Sequence, residues 1–202
     1  MSPTGPELIR NWIEADPVRW SLLGCVRDLG LPDCWIAAGF VRDMVWSKLH
    51  GQPAVLNGDV DVIWYDPDDA SEQRDRAIEA KLRSVQPEFD WSVKNQARMH
   101  LRNGDAPYVS SEDAMRFWPE TATAIGVRRN DHDRCEVIAP LGVDDLFALK
   151  IVPAGAFADR KREIFDARVR VKRWLERYPR LTLAEPTPPS PAGPSPARPR
   201  SP

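Results

Sequence analysis

An α+β domain, with a small mixed sheet flanked by helices, is the fold the sequence predicts, and three observations carry it. Helix-like and strand-like segments alternate through the first half of the chain, so strands meet helices as well as other strands. Further on, AIGVRRNDHDRCEVIAP places two alternating runs around an Asn-Asp-His-Asp turn, which is the pattern of a β-hairpin. Between these regions lies GDVDVIWYD, residues 58–66, an extended segment that opens with acidic and apolar residues in alternation.

Taken in order, PELIRNWIEADPVRWSLLGCVRDLG reads as two helices. Leu8, Ile9, Trp12 and Ile13 recur at helical spacing, Trp20, Leu23 and Val26 do so again, and Pro17 divides the two runs. GLPDCWIAAG is a turn entering a short buried strand over 34–38. GFVRDMVWSKLHG follows as a helix with Val41, Val45 and Leu49 on one stripe, and Gly51 just past its end suits a C-cap. The acidic strand then spans 59–65. DPDDASEQRDRAIEAKLRSV gives a loop and a helix, with Asp69 and Glu72 at capping-box spacing. Its acid cluster lacks a calcium-loop layout, because Ser71 stands where that loop needs glycine and Ala77 where it needs a bidentate glutamate.

FDWSVKNQARMH predicts another strand, with Phe89, Trp91 and Val93 on one side and Asp90, Ser92 and Lys94 on the other. After the hairpin, GVDDLFALKIV opens a helix capped by Asp144 or Asp145, and a basic helix covers 159–177. From Ala184 the composition turns to proline and serine with almost nothing apolar to bury, so 184–202 reads as a disordered tail and 1–183 as the folded domain.

Composition narrows the function classes. With 202 residues, 42% hydrophobic and 29% charged, the chain can build a substantial core and has the balance of a soluble protein. It holds neither a membrane-length apolar run nor a signal-peptide pattern, and its expected address is the cytoplasm. Cys25, Cys34 and Cys135 are odd in number and His50, His100 and His132 are scattered, which disfavours zinc and a Cys-His nucleophile. A net charge of -2 argues against a surface devoted wholly to nucleic acid, although a local basic patch is compatible with it. The basic residues from Arg160 to Arg177 are either such a patch or a solvated helix face.

The chemistry sits in the acidic strand. Asp59 and Asp61 fall on one face, with Cα atoms roughly 6.6 to 7 Å apart, while Val60, Val62 and Trp64 face the other way. Side-by-side carboxylates repel unless a cation joins them. Upstream, Gly39 ends a strand and starts a helix, a place suited to phosphate because first-turn amides and the positive dipole end point outward. A divalent cation bridging the aspartates to a phosphate would reconcile the two features. Lys94 and Asn95 are candidates for triphosphate or base contacts, or else a polar strand end satisfying its own backbone; Thr121 and Thr123 line a cleft or cap a loop.

AAGFVRDMVW, NGDVDVIWYD, WSVKNQARMH, WPETATAIGVR and EVIAPLGVDDLF together resemble a bacterial family of nucleotidyltransferase-fold proteins within the DNA polymerase β-like superfamily. The resemblance covers about residues 31–180. It implies magnesium-dependent transfer of a nucleoside monophosphate from an NTP to a hydroxyl of a small molecule, protein or RNA end, with release of pyrophosphate. It further implies Asp59 and Asp61 as catalytic, metal-binding residues for two ions, and Gly39, Phe40, Arg42, Lys94 and Asn95 around the nucleotide, with Asp43 completing the Val-Arg-Asp that follows the turn. In this alignment Gly39 is the first turn glycine and Phe40 replaces the second small residue. The superfamily's third carboxylate has no secure counterpart, with Asp90, Asn95 and Glu136 as the candidates. A nucleotide-binding module that has lost turnover is the alternative this gap leaves open.

Overall fold

The structure, a computed structural model, describes residues 3–186. Two helices, α1 (Gly5–Glu14) and α2 (Pro17–Arg27), open the chain. Asp16 caps α2 by accepting from the amides of Val18 and Arg19, and Pro17 takes the first helical position, where a missing N–H costs nothing. Then come β1 (Trp35–Ala37), α3 (Gly39–Leu49), β2 (Val60–Trp64), α4 (Glu72–Val85) and β3 (Trp91–Asn95). Short helices α5 (Met99–Asn103) and α6 (Ser111–Met115) precede the hairpin of β4 (Gly126–Arg129) and β5 (Cys135–Ile138). One turn of helix, α7 (Asp144–Phe147), leads to β6 (Lys150–Ile151), α8 (Arg162–Lys172), α9 (Trp174–Arg177) and β7 (Thr182–Leu183).

Five strands form a mixed sheet in the order β3-β2-β1-β4-β5. β2 and β3 are parallel, with α4 as the crossover that parallel neighbours require, and the remaining pairings are antiparallel. One face carries Ile36, Val60, Val62, Trp64, Trp91, Val93 and Val127 into the main core beneath the helices. The opposite face holds a smaller apolar group of Trp35, Ala37, Ile63, Met115 and Ala124. Asp61 pairs in register with Ala37 and Ser92, so it belongs to this second face.

Several local expectations are corrected. α3 buries every residue from Phe40 to Ser47 rather than one stripe. The cause is tertiary: the sheet packs on one side, while Trp174 and Tyr178 meet Trp46 on another at ring-centroid distances of 5.8 and 5.5 Å. Ser71, not Asp69, caps α4, and Asp69 instead accepts from the Ser71 hydroxyl at 3.1 Å. α7 is a single turn whose first residue, rather than its cap, is Asp144. The basic helix breaks at Arg173, which has φ 50°, and this turn swings Trp174 into the core.

Strand β3 stops at Asn95, where the chain winds into a 3-10 turn over Gln96–Arg98. As an edge strand it presents outward amides, and two carboxylates of α4 take them: Glu79 accepts from Val93 N at 2.9 Å, and Asp75 from Asn95 N at 3.1 Å. Asp75 is buried and also accepts from Trp64 Nε1 at 2.8 Å and from Arg98.

The expected tail from 184 lies outside the described residues beyond 186. Of its first residues, Ala184 donates to Ile151 O at 3.1 Å and Glu185 pairs with Arg162 at 2.8 Å. No described helix is long and apolar enough to cross a membrane.

Candidate active site

A cleft of about 280 Å³ opens where β2, the β1–α3 turn, the 94–103 segment, the loop around Pro119 and α8 converge. Its wall includes Ala38, Asp59, Asp61, Ile63, Lys94, Gln96, Asn103, Trp118, Thr123, Arg168 and Lys172. Strand alternation puts Asp59, Asp61 and Ile63 on one face, and all three line the cleft. Asp59 is exposed and Asp61 half-buried.

The electrostatics of Asp61 are unusual. Burial, and next the charge of Asp59, push its carboxyl up to about 6, against weaker opposing pulls from the Ser92 hydroxyl, Lys172 and Arg42. The two carboxylates therefore stand close enough to feel each other, and Lys172 and Arg42 offset the effect only in part.

The β1–α3 turn differs from the expected one. Ala38, not Gly39, has the left-handed backbone, with φ 56° and ψ -122°, and Ala38 lines the cleft. A methyl added to Gly39 would meet Arg42 Nη2 at 3.4 Å and Asp43 Oδ2 at 3.9 Å, which are ordinary contacts. The pair of small residues at the turn is thus Ala38–Gly39, and Phe40 is not the second turn residue. Its ring is buried in the main core, and its carbonyl accepts from Arg19 Nε at 3.2 Å. Only its first-turn amide, like that of Gly39, has no intrahelical acceptor.

Arg42 and Asp43 lie beneath the cleft rather than in it. Arg42 Nε donates to Asp43 Oδ1 at 2.8 Å and its Nη1 to Thr123 Oγ1 at 3.0 Å. Arg177 reaches the other oxygen of Asp43, and the Arg42 guanidinium stacks 4.5 Å from the Trp174 ring centroid. Both members are buried. The Val-Arg-Asp segment thereby ties α3 to α9 and to Thr123, a cleft residue.

Lys94 faces the cleft, with its Nζ donating to Glu79 Oε1 at 3.1 Å. Asn95 does not face it. It shares the parity of Trp91 and Val93, is fully buried, accepts from Ala97 N at 2.9 Å and donates to Asp66 O at 2.8 Å, so it shapes two turns.

None of the candidates for a third carboxylate enters the cleft. The Asp90 side chain is 79% exposed and 3.7 Å from Arg83. Glu136 is on β5, two strands beyond β1, bound to Arg128 and Asn130. Among the described residues no three His, Cys, Asp or Glu side chains are grouped to hold a metal. Two hard carboxylate donors on one strand face, their charges in mutual repulsion, fit a magnesium ion, which Asp59 and Asp61 would hold.

Sequence reasoning did not bring Arg168 and Lys172 to this cleft. They stand one helical turn apart on α8, a spacing that marks one face but does not say what that face meets. Thr123, open between two roles, both lines the cleft and holds Arg42; Thr121 bonds Asp145 at 2.9 Å. Beyond Trp118 the cleft continues into an apolar groove of about 560 Å³ along α8, bordered by Phe117, Phe157, Ile164 and Val171. A separate hollow of about 340 Å³ between α2 and β4 is far from the aspartates, and Arg27, Arg128 and Arg129 on its wall are all paired with carboxylates.

This strand-turn-helix with a paired-aspartate strand beside it is the architecture of a nucleotidyltransferase head domain. A structure solved by NMR and described as a CCA-adding enzyme head domain is similar over 88% of this chain and 95% of its own, with 34% identity and a TM-score of 0.79. A CCA-adding enzyme in complex with CTP (14% identity, TM-score 0.55) matches 88% of this chain but 43% of its own. A tRNA nucleotidyltransferase complexed with a primer tRNA and an incoming ATP analog (17% identity, TM-score 0.53) matches 81% and 46%. These last two share the fold, and this chain spans less than half their length. Residues 24–183 match the profile of a family described as nucleotidyltransferase, and the chain belongs to that family. Among curated proteins none matches significantly.

Proposed function

We propose that the chain transfers a nucleoside monophosphate from an NTP to a hydroxyl acceptor and releases pyrophosphate, with magnesium held by Asp59 and Asp61. The observation that carries this reading is the convergence of Asp61 of β2 and Asp59 just before it on a cleft that α8 lines with Arg168 and Lys172. Magnesium, when bound, supplies charge neutralisation and Lewis acidity at phosphate oxygens. The chain's own groups do the rest. The amides of Gly39 and Phe40 offer donors to the triphosphate, and the small side chain of Ala38 leaves the approach open. Arg42 acts from below by fixing Thr123, and Lys94 adds positive potential at the β3 edge. The acceptor reaches the site along the groove beside α8. Three free thiols fit a reducing compartment, so the cytoplasm is the address we propose.

Incubation with each labelled NTP, magnesium and a cell extract is expected to label an acceptor, and Asp59→Asn is expected to abolish the labelling. Absence of transfer from every NTP would overturn the proposal. A second reading, a nucleotide-binding module without turnover, is favoured by one observation: only two carboxylates face the cleft among the described residues. Metal-dependent NTP binding without pyrophosphate release would select it, and steady pyrophosphate production would eliminate it.

A further inference from the structure

Arg168 and Lys172 face Asp59 and Asp61 across the cleft, and the way Arg168 is held is informative. Its Nε donates to Glu120 Oε1 at 2.7 Å. Glu120 is only 1% exposed, whereas the Arg168 side chain is 32% exposed. A carboxylate this deep needs a cation, and here it takes one from the cleft wall. The contact is single: Oε2 of Glu120 is buried without a hydrogen-bond partner, and neither Nη of Arg168 has one among the described residues. A guanidinium serving only to neutralise a buried carboxylate would be expected to engage both oxygens through two parallel bonds. Anchored by Nε alone, with Trp174 5.6 Å away, the guanidinium keeps its terminal donors free. Lys172, one turn along α8, makes no salt bridge among the described residues, although its charge reaches Asp61.

We infer that Arg168 and Lys172 form a polyphosphate clamp in the cleft and that Glu120 is the residue that positions Arg168. The inference rests on the NTP reading above and deepens it. The ligand is the triphosphate, a linear polyanion whose charge the α8 cations would meet. Arg168 suits the role because a planar fork of N–H donors matches phosphate oxygens, and an anchored fork loses less freedom on binding. Glu120 acts only through Arg168, so it is a positioning residue.

Binding of inorganic tripolyphosphate to the full chain in EDTA, followed by calorimetry, tests the clamp without metal or turnover. Arg168→Ala and Lys172→Ala are each expected to weaken binding at least about tenfold, as loss of a charge-assisted contact implies. Glu120→Gln is expected to weaken it less, and to cause no further loss in the Arg168→Ala background. In magnesium, Glu120→Gln should raise KM for the NTP and leave kcat nearly unchanged, a split that a merely structural role would not produce. Glu120 is buried, so Glu120→Asp serves as a second variant: it keeps the charge, draws the guanidinium back and should also lower affinity. Unaltered tripolyphosphate binding in folded Arg168→Ala and Lys172→Ala would overturn the clamp. A further loss on adding Glu120→Gln to Arg168→Ala would overturn the positioning role. Intact, clamp-dependent binding with no nucleotidyl transfer from any NTP would instead sink the transfer reading and leave the clamp standing.

Discussion

Two groups of charged side chains lie on either side of the α3 N-terminus, and they are treated in opposite ways. Below it, buried Arg42 and Asp43 and half-buried Arg177 are joined through the Asp43 carboxylate, with Thr123 and Tyr178 closing the set. Above it, Asp59 and Asp61 share a strand face with no salt bridge to either carboxylate among the described residues, and burial and like charge push Asp61 up to about 6. Paired charge fixes geometry; unpaired charge keeps binding capacity. The contrast is between a set fastened by ion pairs and two neighbouring carboxylates left without one.

Asp43→Ala breaks the comparison hardest. It leaves two arginines without their shared carboxylate in a site where Asp43 is 8% and Arg42 6% exposed. Removing one partner of such a buried set costs about 3 to 5 kcal/mol, to be read from the denaturant midpoint. Asp59→Asn should act in the reverse sense, with the fold intact and turnover down at least about a hundredfold, since even residues behind a metal's direct ligands are worth ten- to a hundredfold. Steady-state pyrophosphate release checks this, and excess EDTA should reproduce it in the unaltered chain.

Asp61→Asn sharpens the contrast through pH. The folded carboxyl titrates near 6 against an ordinary 3.8, so the native state holds a proton that the unfolded chain has already released. In EDTA the contribution of Asp61 to stability should therefore be fully present below about 4, decline as pH rises to about 6, and level off. It is read as the difference between the unaltered chain and the variant, because carboxylates held low, such as Glu136, act in the opposite sense. The asparagine variant should lack this decline and unfold at a higher temperature than the unaltered chain at pH 7, while the two converge near pH 4. The smallest effect belongs to the turn between the groups. Ala38→Gly removes a left-handed alanine costing roughly 1 kcal/mol, partly offset by glycine's greater freedom when unfolded, and should raise the melting temperature slightly.

Much of this was legible in the sequence where the cause is local. The period of two in GDVDVIW put both aspartates on one face, Pro17 separated α1 from α2, and Asn-Asp-His-Asp marked the hairpin. What was not legible depends on distant packing. The all-round burial of α3 comes from α7 and from Trp174 and Tyr178, far along the chain, and the same break at Arg173 that buries Trp174 shortened the basic helix. Arg168 and Lys172 reach the cleft because of where α8 lies, which their spacing could not reveal. Asn95 could have been excluded from the cleft beforehand, because it has the parity of Trp91 and Val93 and not that of Lys94. The turn register was read one residue late, since Gly39 drew attention while the strained backbone belongs to Ala38.

The carboxylates of Glu79 and Asp75 along the rim of β3 have a consequence for how copies of this protein behave in crowded solution. By occupying the amides that a foreign strand would seek, they deny neighbouring molecules a template on that side. Loss of those two acidic groups would expose a polymerisable border on the strand that also carries Lys94 of the cleft.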